Sequence, residues 1–278
     1  MYLARRWKRQ PQGPIAVDWT HPLTRGLRGL LVPFGGGWFD AVAEQPLVLT
    51  SSGSFGQSLG GAPGLVRSYA TARAEGESGS GQSFDLPSVL GNIALFAVAR
   101  IAPGASKGTI LHTRGNTTTA GAQLALLDTA GTTVVQMDLA DTATMGSATT
   151  GVPAGQFGTF GASYDGLETD FFDSGIYRAR SSGTSDGMSL NCSQIAIGSR
   201  VRDSISESLV GDIAAIGIYA RSVTPLEGRA LTANIWQLFR PRTLRIYSLP
   251  ASGIPVLSGS TVIDIGQTSA RPRVTITF

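Results

Sequence analysis

From Leu209 to Tyr219 apolar and polar residues alternate, with Leu209, Ile213, Ala215, Gly217 and Tyr219 on one side, as in a half-buried strand. After Arg221-Ser222 the period changes. Thr224 stands where an N-cap is needed, Pro225 suits the first helical position, and Glu227 three residues on completes a capping box. Leu226, Ala230, Leu231, Asn234 and Leu238 then recur at helical spacing until Pro241 closes the element. Upstream, short apolar or alternating runs predict strands at 30–34, 47–50, 93–101, 109–112, 123–127, 133–139, 156–163, 169–172, 175–180 and 194–198, with Asp128-Thr129-Ala130-Gly131 as a hairpin turn.

Composition agrees with an all-β chain. The 36 glycines and the 15% of charged residues suit short strands and tight turns. Residues 35–37, 53–64 and 76–81 read as Gly-rich loops. The length accommodates one large sandwich of about 230 residues with extensions.

The strand, its capped helix and the ending Asn234-Ile235-Trp236-Gln237-Leu238-Phe239 resemble the C-terminal signature of LamG-like, concanavalin A-like jelly-roll domains of tailed-phage and prophage proteins. Pro14-Ile15-Ala16-Val17-Asp18-Trp19-Thr20-His21-Pro22-Leu23-Thr24-Arg25-Gly26-Leu27 is similar to the leading segment of those proteins. Ser163-Tyr164-Asp165-Gly166 followed by Phe171-Phe172-Asp173-Ser174-Gly175-Ile176 is similar to their central hairpin. The resemblance implies an all-β concanavalin A-like jelly-roll sandwich over 14–241, with a short helix near its C-terminal end, a basic arm at 1–13 and a strand-like extension at 242–278.

Charge is divided along the chain. Arg5, Arg6, Lys8 and Arg9 fall within the first ten residues without an acid, and residues 240–278 hold five arginines against Asp264. These are nine of the 22 basic and one of the 19 acidic residues, leaving 13 and 18 between them, so the body carries about −5 between two positive ends. The expected docking residues are Arg5, Arg6, Lys8, Arg9, Arg271, Arg273 and Phe278. The last three lie in a tail whose 244–249, 261–265 and 273–278 alternate like strands, two of them too few to fold alone. A start that runs into Gln10-Pro11-Gln12-Gly13-Pro14 argues against a signal peptide, and no apolar run nears the length of a membrane span. Cys192 is the only cysteine and reads as a small buried hydrophobe.

Two motifs imitate catalysis. Gly56-Gln57-Ser58-Leu59-Gly60 has the letters of a nucleophile elbow without its strand or helix, and the only later histidine, His112, comes too soon for the remaining strands of a hydrolase sheet. Glu168-Thr169-Asp170-Phe171-Phe172-Asp173 is superficially like the paired-carboxylate strand of family 16 glucanases, and reads instead as carboxylates on a solvent face with Asp173 in a turn. His21 and His112 lack metal-ligand spacing. No cofactor is expected, although Asp165, Asp203 and Asp212 near loop ends leave room for a surface Ca²⁺. Trp236 reads as helix or core, and Trp19 and Trp38 as packed beneath neighbouring loops. These readings, with the resemblance, give the expectation of a non-enzymatic virion protein, a head decoration or cement-type component docking through its extensions. Its partners would be capsid proteins or neighbouring copies in a homo-oligomer, with neither membrane nor nucleic acid. A glycan-binding adhesion module is the alternative, and a glycan hydrolase the third.

Overall fold

The computed structural model describes residues 10–11, 15–34, 37–47, 50–51, 67–69, 77–80, 92–114, 121–139, 143–182, 194–201, 205–206 and 208–241. Its strands are β1 (Ile15–Val17), β2 (Leu27–Phe34), β3 (Gly37–Asp40), β4 (Gln45–Pro46), β5 (Thr50–Ser51), β6 (Arg67–Tyr69), β7 (Glu77–Ser80), β8 (Ile93–Ile101), β9 (Lys107–Arg114) and β10 (Gly121–Thr129). They continue with β11 (Thr132–Leu139), β12 (Ala143–Pro153), β13 (Gly158–Tyr164), β14 (Glu168–Asp173), β15 (Ile176–Ser182), β16 (Gln194–Ile197), β17 (Arg200–Val201), β18 (Ile205–Ser206), β19 (Gly211–Tyr219) and β20 (Phe239–Pro241), with helix α1 at Pro225–Ala233. One sheet runs β12-β11-β10-β9-β16-β7-β5, and the other runs β15-β14-β13-β8-β19-β2-β3-β4 with β6 also on β19. The fold is an antiparallel jelly-roll sandwich, as the sequence predicts. Among the described residues no helix is long and apolar enough to cross a membrane.

Two apolar layers hold it. Ile93, Leu95, Ala97 and Ile213 from one sheet pack against Leu124, Leu126, Val135, Met137 and Ile197 from the other. The alternate residues of the larger sheet, including Leu30, Phe96, Phe172 and Tyr219, pack outward against Val17, Leu23, Leu231, Ile235, Trp236 and Phe239. β8 is therefore covered on both faces, which is why Ile-Ala-Leu-Phe-Ala-Val-Ala is a continuous apolar run rather than an alternating one. Burial of both faces stabilises at about 25 cal/mol per Å² of apolar surface removed from water.

α1 begins as its capping box dictates. Thr224 Oγ1 accepts from Glu227 N–H at 3.3 Å, and Glu227 Oε2 accepts from Thr224 N–H at 2.8 Å. Arg221 donates to both Glu227 oxygens, and this guanidinium holds the Glu227 carboxyl down at about 2. The helix can lie close to the sheet because Gly228 lacks a side chain: a Cβ there would sit 2.4 Å from Phe172 Cζ.

The structure departs from the sequence reading in several of its elements. Leu226, counted in the apolar stripe, faces solvent at 76% exposure, and α1 buries Gly228, Leu231 and Thr232 instead. The helix stops at Ala233, and Ile235–Leu238 forms a separate 3₁₀ turn. Residues 77–80, read as loop, form β7 against β16. β12 was absent from the predicted strands, since Gly146, Gly151 and its threonines carry little apolar signal. The hairpin turn at Ala130-Gly131 is as expected, with φ of 53° and 82°, the left-handed pair of a type I′ turn.

Candidate functional site

The two sequence signatures meet in one place. β1 pairs with β20, setting Ile15 opposite Pro241, Ala16 opposite Arg240 and Val17 opposite Phe239. Asp18 N–H donates to the Leu238 carbonyl at 2.7 Å, Tyr219 Oη to the Leu23 carbonyl at 3.0 Å and Arg221 Nε to the Arg25 carbonyl at 2.7 Å. Trp236 stacks on Phe239 beneath them, with ring centroids 6.2 Å apart. The leading segment and the C-terminal signature are thus one packing unit. Consequently the first strand and the strand that ends at Pro241 are adjacent, with Arg240 exposed on the latter, and Gln10, ahead of β1, is itself buried. The predicted docking residues themselves, Arg5, Arg6, Lys8, Arg9, Arg271, Arg273 and Phe278, lie outside the described residues, as does the strand-like tail.

The second place is the β14–β15 hairpin, where the glucanase-like carboxylates stand. Asp170 and Asp173 are three residues apart on a regular strand and so point to opposite faces. Asp170 Oδ1 accepts from Tyr177 Oη at 3.0 Å and from Arg180 Nε at 2.7 Å, while Oδ2 accepts from Arg180 Nη2 at 2.9 Å. Arg180 also reaches Glu168 Oε2 at 2.7 Å. These carboxylates hold the Arg180 and Arg178 guanidinium groups firmly in their charged form. Asp170 and Asp173 are both buried, which corrects the solvent-face reading of this strand: Asp173, the strand residue before the turn at 174–175, has both its oxygens gripped by Arg178, and Gly151 N–H donates to its Oδ2 at 2.8 Å. A register shift at Phe171/Phe172 makes Arg178 the extra residue of a bulge, so Arg180 and Tyr177 both fall on the Asp170 side. The hairpin closes the sandwich edge; it does not bring a catalytic pair together. Ser58 lies outside the described residues.

A third cluster escaped the sequence reading. Ala196, His112, Gln123 and Asp138 stand in direct register across β16, β9, β10 and β11. His112, Gln123 and Asp138 are buried. Asp138 accepts from Lys107 Nζ and from Gln136 Nε2, each at 2.7 Å, and Gln123 Nε2 donates to Thr109 Oγ1. Alternation alone assigns such positions to solvent. The available signal was three hydrogen-bonding side chains at equivalent positions of neighbouring strands.

The remaining candidates are spoken for locally. Asp165 Oδ1 accepts from the N–H groups of Leu167 and Glu168, which close the Tyr-Asp-Gly turn and lower its carboxyl. Asp212 is buried against Arg100, and Asp203 and Cys192 lie outside the described residues. Among the described residues no three His, Cys, Asp or Glu side chains converge as metal ligands. His21 accepts from Leu23 N–H at 3.2 Å and caps the 3₁₀ turn Pro22–Thr24. Both Trp38 and Trp19 were expected beneath a loop; Trp38 is buried in the core instead, and Trp19 is 53% exposed in the turn after β1.

No protein-family model matches the sequence, and no curated protein matches it. Solved structures do. The receptor-binding domain of botulinum neurotoxin C/D mosaic serotype superposes with a TM-score of 0.55 at 8% identity over 75% of this chain and 51% of that one. The receptor-binding domain of botulinum neurotoxin D gives 0.54 at 8% identity over 76% and 53%. The heptameric SAP-like pentraxin of Limulus polyphemus gives 0.50 at 10% identity over 60% and 80%. The chain spans about half the length of the two neurotoxin domains. At these identities the likeness is one of fold, a concanavalin A-like jelly roll.

Proposed function

We propose that the chain is a non-catalytic structural component of a tailed-phage virion, a decoration or cement-type protein of the head that is held to the particle by the segments flanking its sandwich. The observation that carries this reading is the β1–β20 ladder. It pairs the strand that follows the four basic residues of 1–10 with the strand from which the arginines of 240–278 continue, on a body that is acidic by composition. Basic sequences on either side of a folded body suit docking on a preformed surface. The two phage-like signatures, leading segment and C-terminal strand with helix, are the halves of that same unit. Attraction between the arginines and an acidic particle surface acts over about 10 Å at 0.1 M salt.

The test is co-sedimentation with particles lacking the protein. The full chain binds. Forms lacking 1–13 or 252–278 keep the sandwich's circular dichroism and melting midpoint but stay in the supernatant, and rising salt releases the full chain. Retention of both shortened forms on particles at physiological salt contradicts the proposal.

A further inference from the structure

On β15 a bulge sets an aromatic ring and a guanidinium on one face. The register with β14 shifts between Phe171 and Phe172, so Tyr177 pairs with Phe172 and Arg180 with Asp170. In unbroken alternation residues three apart would point to opposite faces. Bulges re-aim side chains in this way and recur next to functional sites. The extra residue, Arg178, turns to Asp173 on the opposite face, and Tyr177, Arg180 and Ser182 form an exposed row beside Asp170 and Glu168.

The row is held in place by its neighbours. Tyr177 keeps its ring edge-on to Phe172, with centroids 5.7 Å apart, and its hydroxyl donates to Asp170 Oδ1 at 3.0 Å. Arg180 is fixed by Asp170 through Nε and Nη2 and by Glu168 through Nη1. These bonds do not exhaust it: each terminal nitrogen keeps a second N–H, and Glu168 Oε1 has no bond among the described residues. Contact surface remains, with 36% of Tyr177 exposed and, for the side chains, 44% of Arg180 and 39% of Glu168. An aromatic ring beside preset donors and an acceptor suits a sugar ring, whose C–H face lies on the aromatic while its hydroxyls bond to groups that need no further ordering. Two carboxylates, Glu168 and Asp170, against Arg180 leave the row with a net negative charge, which disfavours sialylated, sulfated or uronic acid residues. We infer that the outer face of the β14–β15 hairpin binds a neutral oligosaccharide, with Tyr177 as the stacking platform and Arg180 and Glu168 as its hydrogen-bonding rim. The inference does not depend on particle docking.

The test presents the full chain to an immobilised array of neutral and acidic oligosaccharides. The strongest neutral binder is then titrated calorimetrically into wild type, Tyr177→Ala, Glu168→Ala and Trp19→Ala, with melting midpoints to report folding. Wild type binds neutral oligosaccharides in preference to sialylated or sulfated ones. Tyr177→Ala raises Kd about tenfold or more, and Glu168→Ala raises it several-fold. Trp19→Ala, which removes another exposed aromatic, leaves Kd unchanged. Should Tyr177→Ala fail to fold through loss of its contact with Phe172, Glu168→Ala decides, because that side chain belongs to an exposed pair. Three outcomes overturn the inference: no neutral oligosaccharide is bound, acidic ones are preferred, or the folded hairpin variants bind with wild-type affinity.

Discussion

Ile15 and Pro241 face each other across an antiparallel ladder although they lie 226 positions apart in sequence. The pairing is short, three residues on each strand, and is held from below by Val17, Trp236 and Phe239. It makes the first and last strands of the sandwich a single element, so opening it exposes the outer apolar layer.

The register of that ladder can be locked. Ala16→Cys/Arg240→Cys, in a Cys192→Ser background, places two thiols at directly opposed positions, where Cα atoms in an antiparallel pair lie about 4.5–5.5 Å apart, within disulfide range. Oxidation should give the intramolecular crosslink in high yield with a raised melting midpoint, read by non-reducing electrophoresis and calorimetry. A crosslink that fails to form shows the register to be wrong.

Asp173 and Glu168 should separate structure from surface. Asp173→Ala strips a buried carboxylate from Arg178 and Gly151 and is expected to cost about 2–4 kcal/mol, somewhat below the figure for a wholly buried pair because Arg178 keeps access to water. Glu168→Gln should cost under about 1 kcal/mol, since that pair is exposed. Denaturant titration measures both. Neither wild type nor variant should hydrolyse polysaccharides; hydrolysis by wild type that Asp170→Asn abolishes would restore the glycosidase reading.

Gly228→Ala offers a test of packing against propensity. In an open helix the change is worth about 1 kcal/mol in favour of alanine. Here the new methyl would meet the fully buried Phe172 ring at 2.4 Å, so the variant should be less stable than wild type. A gain in stability would mean that α1 can lift from the sheet at little cost.

Acid should weaken the cap of α1 in a defined window. Glu227 is lowered to about 2, chiefly by its hydrogen bond from Arg221. Its folded value lies below the unfolded one, so its contribution is fully present above about pH 4.5 and is lost as pH falls towards 2. Glu227→Gln should flatten that part of the pH–stability curve, measured as melting midpoint from pH 2 to pH 6.

What the sequence revealed follows the range of the forces involved. The capping box at Thr224 and Glu227, the Tyr164-Asp165-Gly166 turn and the Ala130-Gly131 hairpin are local, and each lies where its residues demand. β1–β20 and the Asp173–Arg178–Gly151 contact depend on distant chain segments meeting, for which periodicity holds no signal. Leu226 counts as apolar at helical spacing, yet the sheet surface available to α1 is taken by Phe172 and Gly161, and the helix turns its Gly228 side inward. The polar row of His112, Gln123 and Asp138 was hidden because an outward polar residue on a strand looks the same in sequence whether water or protein covers it.

Cryo-electron microscopy of intact particles tests the docking account most directly. The account predicts density for the sandwich on the head shell, oriented with Ile15 and Pro241 towards the particle and with residues 1–9 and 242–278 traceable into contacts with it. Particles that lack the sandwich, or that carry it with the β1–β20 ladder turned to solvent and contacts made by another face, would contradict it.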